Sequence, residues 1–450
     1  MRNAKSLRAG FIALLGLTGC GSSSTEGITP TPDSGQGGTP DSGVAACAVE
    51  VREADCDKSQ RPIVFVHGTY GSGDNVANLA LLFGSNGFCQ DRFVAVEYNS
   101  LGGNPQGTLD GLIDKVLADT GRDKVELMGH SQGTRHCYDY LADSAHAAKV
   151  AHYVHLAGGA RPAPPEGVPT LSVSSNSDTL LGGASVTGAE RTVVLETQDH
   201  FAVAASTETF VLLHNYLRGE DPKYKDVQCG EPSVTLEGIS ESFADNLPVA
   251  GTIEMYALGD APRERGAPST TLTIGADGLI APFKVQRLVP YEFKAIDTTG
   301  KTVGHQYFAP FKRSNRLLRF LGPSTGLARI VTDAVVTSDQ HAAVVARYVA
   351  GAFRKDLGDT LTVDGVEILN DAIAVASTST VALFLFDANL DGQTEGGLLS
   401  AYASTPFVKG SDVFLPATTP AFLEMKLNGK VLKIPNWPSA SEGQTLLMFP

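Results

Sequence analysis

Basic residues are scarce in this 450-residue chain, where 35 Lys and Arg stand against 49 Asp and Glu for a formal charge of −14. Phosphate backbones are held by clustered positive side chains, so this balance gives no footing to a nucleic-acid partner. The sequence also lacks any period of about 20–50 residues, which excludes a solenoid or repeat array. The apolar run at 11–17 falls short of the roughly 20 residues needed to span a bilayer. Charged residues make up 19% and apolar residues 42%, a composition that forms cores rather than disordered chain. The length predicts two or three domains.

What is present begins with a targeting signature. Arg2, Lys5 and Arg8 precede the apolar run, and Leu17-Thr18-Gly19-Cys20 follows it. The tetrapeptide resembles a bacterial lipobox, which implies a signal peptide over 1–19 and a lipid-modified Cys20 at the new N-terminus. An ordinary secretory signal is the alternative. Residues 20–45 are nearly all Gly, Ser, Thr, Pro and Asp, a composition too polar to bury a core and suited to a flexible tether. Gly21, rather than Asp, follows the cysteine, and by resemblance to enterobacterial sorting this points to the outer membrane. The expected address is therefore the bacterial envelope through a lipid anchor, or the outside of the cell. Six cysteines fit an exported protein. Cys47, Cys56, Cys89 and Cys229 sit in loops or domain edges and allow three connectivities. Cys137 reads as a buried thiol on a helix.

Between residues 60 and 217, short apolar runs alternate with helical periodicity, as in a parallel sheet flanked by helices. Strands are predicted at 63–66, 93–98, 125–128, 153–156, 170–173 and 191–195. Helices are predicted at 74–84, 109–118, 134–145 and 201–217. From 229 onward the texture turns β-rich, with strands predicted at 234–236, 251–256, 270–274, 291–296, 381–386, 413–415 and 431–434, and a helical or irregular stretch at 327–354. The spacing suggests sandwich-like all-β modules. The expected organisation is an α/β catalytic domain over 46–228, then β-rich modules over 229–320 and 321–450.

The chemistry lies in the first half. Gly129-His130-Ser131-Gln132-Gly133 has the spacing of a nucleophile elbow, a tight strand-to-helix turn that requires small residues two before and two after the serine. A predicted strand precedes it and a predicted helix follows. Upstream, 63–66 runs into His67-Gly68-Thr69-Tyr70. The backbone N–H of Gln132 and one from this turn, Thr69 ahead of Tyr70, are placed to stabilise a tetrahedral oxyanion. His67 precedes the serine, whereas the triad order in this architecture is Ser, acid, His. The acid is assigned to Asp178, where strand 170–173 runs out into a polar turn, in preference to Asp143 and to Asp199. The base is His200, in the loop before the closing helix; His214 reads as packing. Asp178 follows Ser131 by 47 residues and precedes His200 by 22. These gaps leave no room for a large inserted cap, so the site is either open or covered from outside by the C-terminal half.

Together these residues resemble the compact α/β-hydrolase lipases of bacteria. The resemblance covers about residues 60–217 and implies a carboxylic ester hydrolase with an acyl-enzyme intermediate, an ester or lipid substrate, and no cofactor or metal. More faintly, the β-rich half is similar in arrangement to a thermophilic archaeal lipase whose C-terminal β domain takes part in lipid binding. A purely structural β module, a surface-binding protein on a hydrolase-like scaffold, and an amide or thioester hydrolase stand as alternatives. Finally, Asp387-Ala388-Asn389-Leu390-Asp391-Gly392 matches the start of a calcium loop, but the twelfth position is Leu398 rather than Glu, and the same residues make ordinary turns.

Overall fold

Residues 63–66 read Ile-Val-Phe-Val, and all four are fully buried, as a strand covered on both faces requires. In the computed structural model, which describes residues 47–322 and 329–450, they form β1 (Ile63–Val66). Its sheet contains β2 (Phe93–Val96), β3 (Val125–His130), β4 (Val150–Leu156), β5 (Thr170–Ser175) and β6 (Arg191–Leu195). All pairings are parallel, in the order β2-β1-β3-β4-β5-β6. Five helices accompany it: α1 (Ala77–Ser85), α2 (Gln106–Thr120), α3 (Gln132–Leu141), α4 (Ser144–Ala147) and α5 (Thr207–Arg218). Alternation along β1 sorts the two faces. Ile63 and Phe65 pack with Leu79 and Phe83 of α1 and Phe210 of α5. Val64 and Val66 pack with Ile113 of α2 and Tyr140 of α3. The expected signal peptide, tether and Cys20 lie outside the described residues.

The second half begins with β7 (Ser233–Ser242), β8 (Gly251–Ala257), β9 (Thr270–Ile274), β10 (Leu279–Gln286), β11 (Tyr291–Ile296), β12 (Thr302–Phe308) and β13 (Asn315–Gly322). After α6 (Arg329–Asp333) come β14 (Val344–Tyr348), β15 (Leu361–Val363), β16 (Val366–Glu367), β17 (Ala382–Phe386), β18 (Val408–Asp412), β19 (Phe422–Leu427), β20 (Lys430–Pro435) and β21 (Gln444–Phe449). They build a three-stranded sheet (β10-β7-β13), a four-stranded sheet (β16-β15-β19-β20) and an eight-stranded sheet (β18-β17-β14-β21-β12-β11-β8-β9). The large sheet draws strands from both sides of the expected boundary at residue 320, with β21 inserted between β14 and β12. One face carries Val344, Leu383 and Leu385 against Met425 and Ile434 of the four-stranded sheet. The opposite face carries Val345, Ala382, Phe384 and Phe386, which cluster with Phe201 of the first half.

Two expectations are corrected here. Residues 344–348, expected to be helical or irregular, form the central strand β14. Val344, Val345 and Ala346 are all buried because both sheet faces are covered, so no period-2 signal survives. The strand expected at 413–415 lies earlier, in β18. Its residues Lys409, Ser411 and Asp412 are polar yet buried, which hides it from a hydropathy reading.

The halves are joined through buried charge. Arg347 of β14 grips Asp74 of the first half with two guanidinium nitrogens, and within the second half Arg319 of β13 pairs with Glu241 of β7 at 2.6 Å. Asn246 donates to the Gly71 carbonyl at 2.7 Å and to Glu241 at 2.9 Å. Charges this far from water persist only when matched, and removing one partner is far costlier than the pair is stabilising. Of the three possible cysteine connectivities the structure has Cys47–Cys229 and Cys56–Cys89, with Cys137 free and buried. No helix among the described residues is long and apolar enough to cross a membrane.

Candidate active site

The turn from β3 into α3 is built around Ser131, whose φ of 54° and ψ of −121° place a non-glycine residue in a region that costs on the order of 1–3 kcal/mol. The flanking glycines are obligatory. A Cβ on Gly133 would stand 2.0 Å from the Val66 carbonyl oxygen, and one on Gly129 would stand 2.9 Å from Cys137 Sγ and from the Thr134 backbone. The Ser131 amide donates to the Leu156 carbonyl at 3.0 Å, which ties the turn to β4. On the other side lies the turn after β1. A Cβ on Gly68 would come within 2.7 Å of Ser131 Cβ and 3.2 Å of its Oγ, so only glycine allows the 67–70 turn to approach the hydroxyl.

That turn brings Thr69 and Gln132 together, with the Thr69 hydroxyl donating to Gln132 Oε1 at 2.9 Å. The Tyr70 amide is engaged by Ser100 Oγ at 3.0 Å. Gln132 opens α3, where backbone N–H groups have no partner within the helix. His67 is fully buried, and its Nδ1 hydrogen-bonds the Gly68 carbonyl at 2.9 Å. Burial pushes its pKa down to about 3, so it is a neutral structural imidazole.

Asp178 lies just past β5 and His200 in the loop after β6, at the edge of the sheet where both strands end. His200 Nδ1 donates to Asp178 Oδ2 at 2.8 Å, with the two residues only 3% and 2% exposed. The other carboxylate oxygen, Oδ1, accepts from the amides of Leu180 and Leu181 at 2.8 and 3.1 Å. Burial pushes the Asp178 carboxyl up, but His200 and these two amides outweigh it and leave the group below its ordinary value. Asp199 is spent on backbone, accepting from Phe201 and Ala202 at 2.8 and 3.1 Å and from Ala352 at 3.1 Å. His214 is a packed side chain stacked on Phe83. His130 lies against His200, ring centroids 4.9 Å apart, and burial pushes its pKa down to about 3. Neutral, its Nε2–H donates to the His200 carbonyl at 2.9 Å and steadies that loop.

Several residues around the site left no mark in the sequence. The stretch after β14 straps the loops bearing Asp178 and His200. Arg354 donates to the Ser177 carbonyl at 2.9 Å, the Ala352 amide reaches Asp199, and Thr179 donates to the Ala376 carbonyl at 2.7 Å. Aromatic rings from the second half flank the site. Phe407 packs on Tyr70 at 5.1 Å and on Phe201 at 5.8 Å, and Phe243 reaches Tyr70 at 6.0 Å. These rings pack beside the Ser131 turn and the His200 loop, while Ser131 itself stays partly exposed. Contacts across 150 to 340 residues of sequence have no local signature.

Beneath the 67–70 turn lies Glu97, whose Oε1 accepts from the Gly73 amide at 2.7 Å and whose Oε2 faces the bare Nε2 of His67 at 3.5 Å. Burial, and then the Glu241 carboxylate, push its pKa up to about 8. A carboxyl raised above its unfolded value favours the fold fully below the unfolded pKa, and that contribution is lost as pH rises through the folded pKa. The expected result is a melting temperature that falls between about pH 5 and 8, with a smaller fall in Glu97→Gln. Parallel melting profiles for the two proteins would contradict the assignment of Glu97 as a half-buried acid held neutral in the fold.

Residues 232–324 match the family model of the lipase C-terminal domain, and a second C-terminal-domain family model matches residues 330–449. Among solved structures, the chain is similar to lipase B of Aspergillus fumigatus, at 14% identity and a TM-score of 0.29. That match covers 38% of this chain and 56% of the fungal lipase, so this chain spans little more than half of that relative's length. A predicted hydrolase of Thermoplasma acidophilum is similar at 18% identity and a TM-score of 0.28, covering 36% of this chain and 89% of that one. A methylesterase of Arabidopsis is similar at 15% identity and a TM-score of 0.28, covering 36% of this chain and all of its own. One chain thus joins a parallel α/β sheet carrying a Gly-x-Ser-x-Gly turn to β-rich sheets, within which residues 232–324 are similar to the lipase C-terminal domain.

Proposed function

We propose that the chain hydrolyses carboxylic esters, with lipid esters as the favoured class. The observation that carries this reading is the buried Asp178–His200 hydrogen bond, on strand-end loops of the sheet that presents Ser131 in its strained turn. Ser131 Oγ attacks the ester carbonyl while His200 Nε2 takes its proton. Asp178 holds the imidazole in the tautomer with Nδ1 protonated and stabilises the imidazolium that forms. The N–H groups of Thr69 and Gln132 receive the oxyanion. His200 returns the proton to the departing alcohol, and a water activated by the same histidine releases the acid from the acyl-enzyme. No step requires a cofactor.

The aromatic cluster of Tyr70, Phe201, Phe243 and Phe407 favours an acyl chain over a polar substrate, since transfer of each methylene out of water contributes about 0.8 kcal/mol. We extend the proposal to location: an envelope protein anchored through Cys20, a setting in keeping with its two disulfides. A fluorophosphonate probe is expected to label Ser131 covalently, and p-nitrophenyl esters of increasing chain length are expected to be cleaved with a preference for the longer acyl groups. Failure of the probe to react would remove the hydrolase reading. A preference for acetate would leave an esterase and remove the lipid preference.

A further inference from the structure

The connection from β17 to the edge strand β18 runs through residues 387–407 and begins with Asp387-Ala388-Asn389-Leu390-Asp391-Gly392-Gln393-Thr394-Glu395. Counted from Asp387, oxygen-bearing side chains occupy positions one, three, five and nine, and a backbone carbonyl is available at seven, the pattern that wraps a calcium ion. Gly392 fills position six with a φ of +75°, as the sharp turn demands. The twelfth position, Leu398, cannot supply the usual bidentate acid. The fold offers one from elsewhere. Parallel pairing of β17 with β18 sets Phe386 opposite Asp412, next to the first residue of the loop, and the Gly396 amide closes onto the Asp412 carbonyl at 2.9 Å.

Asp412 is the observation that points to a ligand. It is 5% exposed, its Oδ1 has no hydrogen-bond partner, and the charges facing it are Asp387, Glu395 and Asp391. Buried oxygens are almost always paired, so an unpartnered one facing three further carboxylates is a place a cation could fill. A second orphan, Nδ1 of the fully buried His341, lies 4.0 Å from Asp387 Oδ2. Among the described residues none of the four acids forms an ion pair with Lys or Arg. The Asn389 amide donates to Asp391 and to Glu395, from Nδ2 at 3.2 and 3.5 Å. No three acidic or imidazole groups among the described residues already converge as a cage, so binding requires Asn389 to turn its oxygen inward and the exposed Glu395 to close.

We propose that Asp387, Asn389, Asp391, the Gln393 carbonyl, Glu395 and Asp412 form a calcium site that clamps the β17–β18 connection. All six donors are oxygens, which selects a hard cation, and a loop that must adjust favours calcium over magnesium with its stricter octahedron. Titration of the chelator-treated chain with CaCl2 should show one ion per chain and a rise in melting temperature. Asp391→Ala and Glu395→Gln, both at exposed positions, should weaken binding at least tenfold, and MgCl2 should bind at least tenfold more weakly than CaCl2. The absence of both heat and thermal shift up to about 10 mM CaCl2, beyond the weakest extracellular sites, would overturn the proposal. Wild-type affinity in Asp391→Ala would do the same, by placing any bound ion elsewhere.

Discussion

Replacing Ser131 with alanine is expected to lower kcat toward p-nitrophenyl esters by on the order of 10⁶-fold, with the melting temperature little changed. The two halves of this expectation have separate causes. Alanine keeps the Cβ that packs against Gly68 and inherits the same strained backbone, so nothing in the turn is relieved or newly crowded. What disappears is the only hydroxyl carried on the elbow, and with it the acyl-enzyme route. Background catalysis by the oxyanion donors and by binding survives such a change, so a residue of activity above the uncatalysed rate is expected. A variant that retained a tenth of wild-type turnover would place the nucleophile elsewhere.

Asp178→Asn is expected to reduce kcat by about 10⁴-fold while preserving the fold and the labelling of Ser131 at a much slower rate. The argument rests on which oxygen does what. Oδ1 is pinned by the amides of Leu180 and Leu181, and an asparagine would keep its own Oδ1 there. The NH2 group then faces His200 Nδ1, where a donor meets a donor unless the imidazole moves its proton to Nε2. In that tautomer Nε2 can no longer accept from Ser131. The variant should therefore lose kcat with little change in KM, and its pH profile should change shape rather than shift as a whole. Equal losses in kcat and binding would instead indicate a collapsed loop.

The α/β half was legible because its signals are local. The strand at 63–66, the glycines around Ser131 and the order of acid and base each depend on residues a few positions apart, or on a rule of chain order. The choice of Asp178 over Asp199 was open to the same kind of reading, since adjacent residues rarely face each other, and the Asp199 carboxylate does point away, into three backbone amides. The second half hid itself for a physical reason. Central strands buried on both faces lose their alternation, as β14 shows, and strands with buried polar side chains lose their apolar signature, as β18 shows. Arg354 and Phe407 are ordinary residues in sequence; their positions beside the loops bearing Asp178 and His200 depend on pairings that only the complete sheet enforces.

The placement of β21 has a consequence for the order in which the fold is completed. Residues 444–449 pair with β14 on one side and β12 on the other, in the middle of the eight-stranded sheet. β14 leads directly into the strap that holds Ser177 and Asp199. A chain that has completed only its first half lacks the strand that fixes β14, so the loops bearing Asp178 and His200 are without this outer support until β21 is in place. Support for these loops therefore comes with β21 rather than with the residues of the loops themselves.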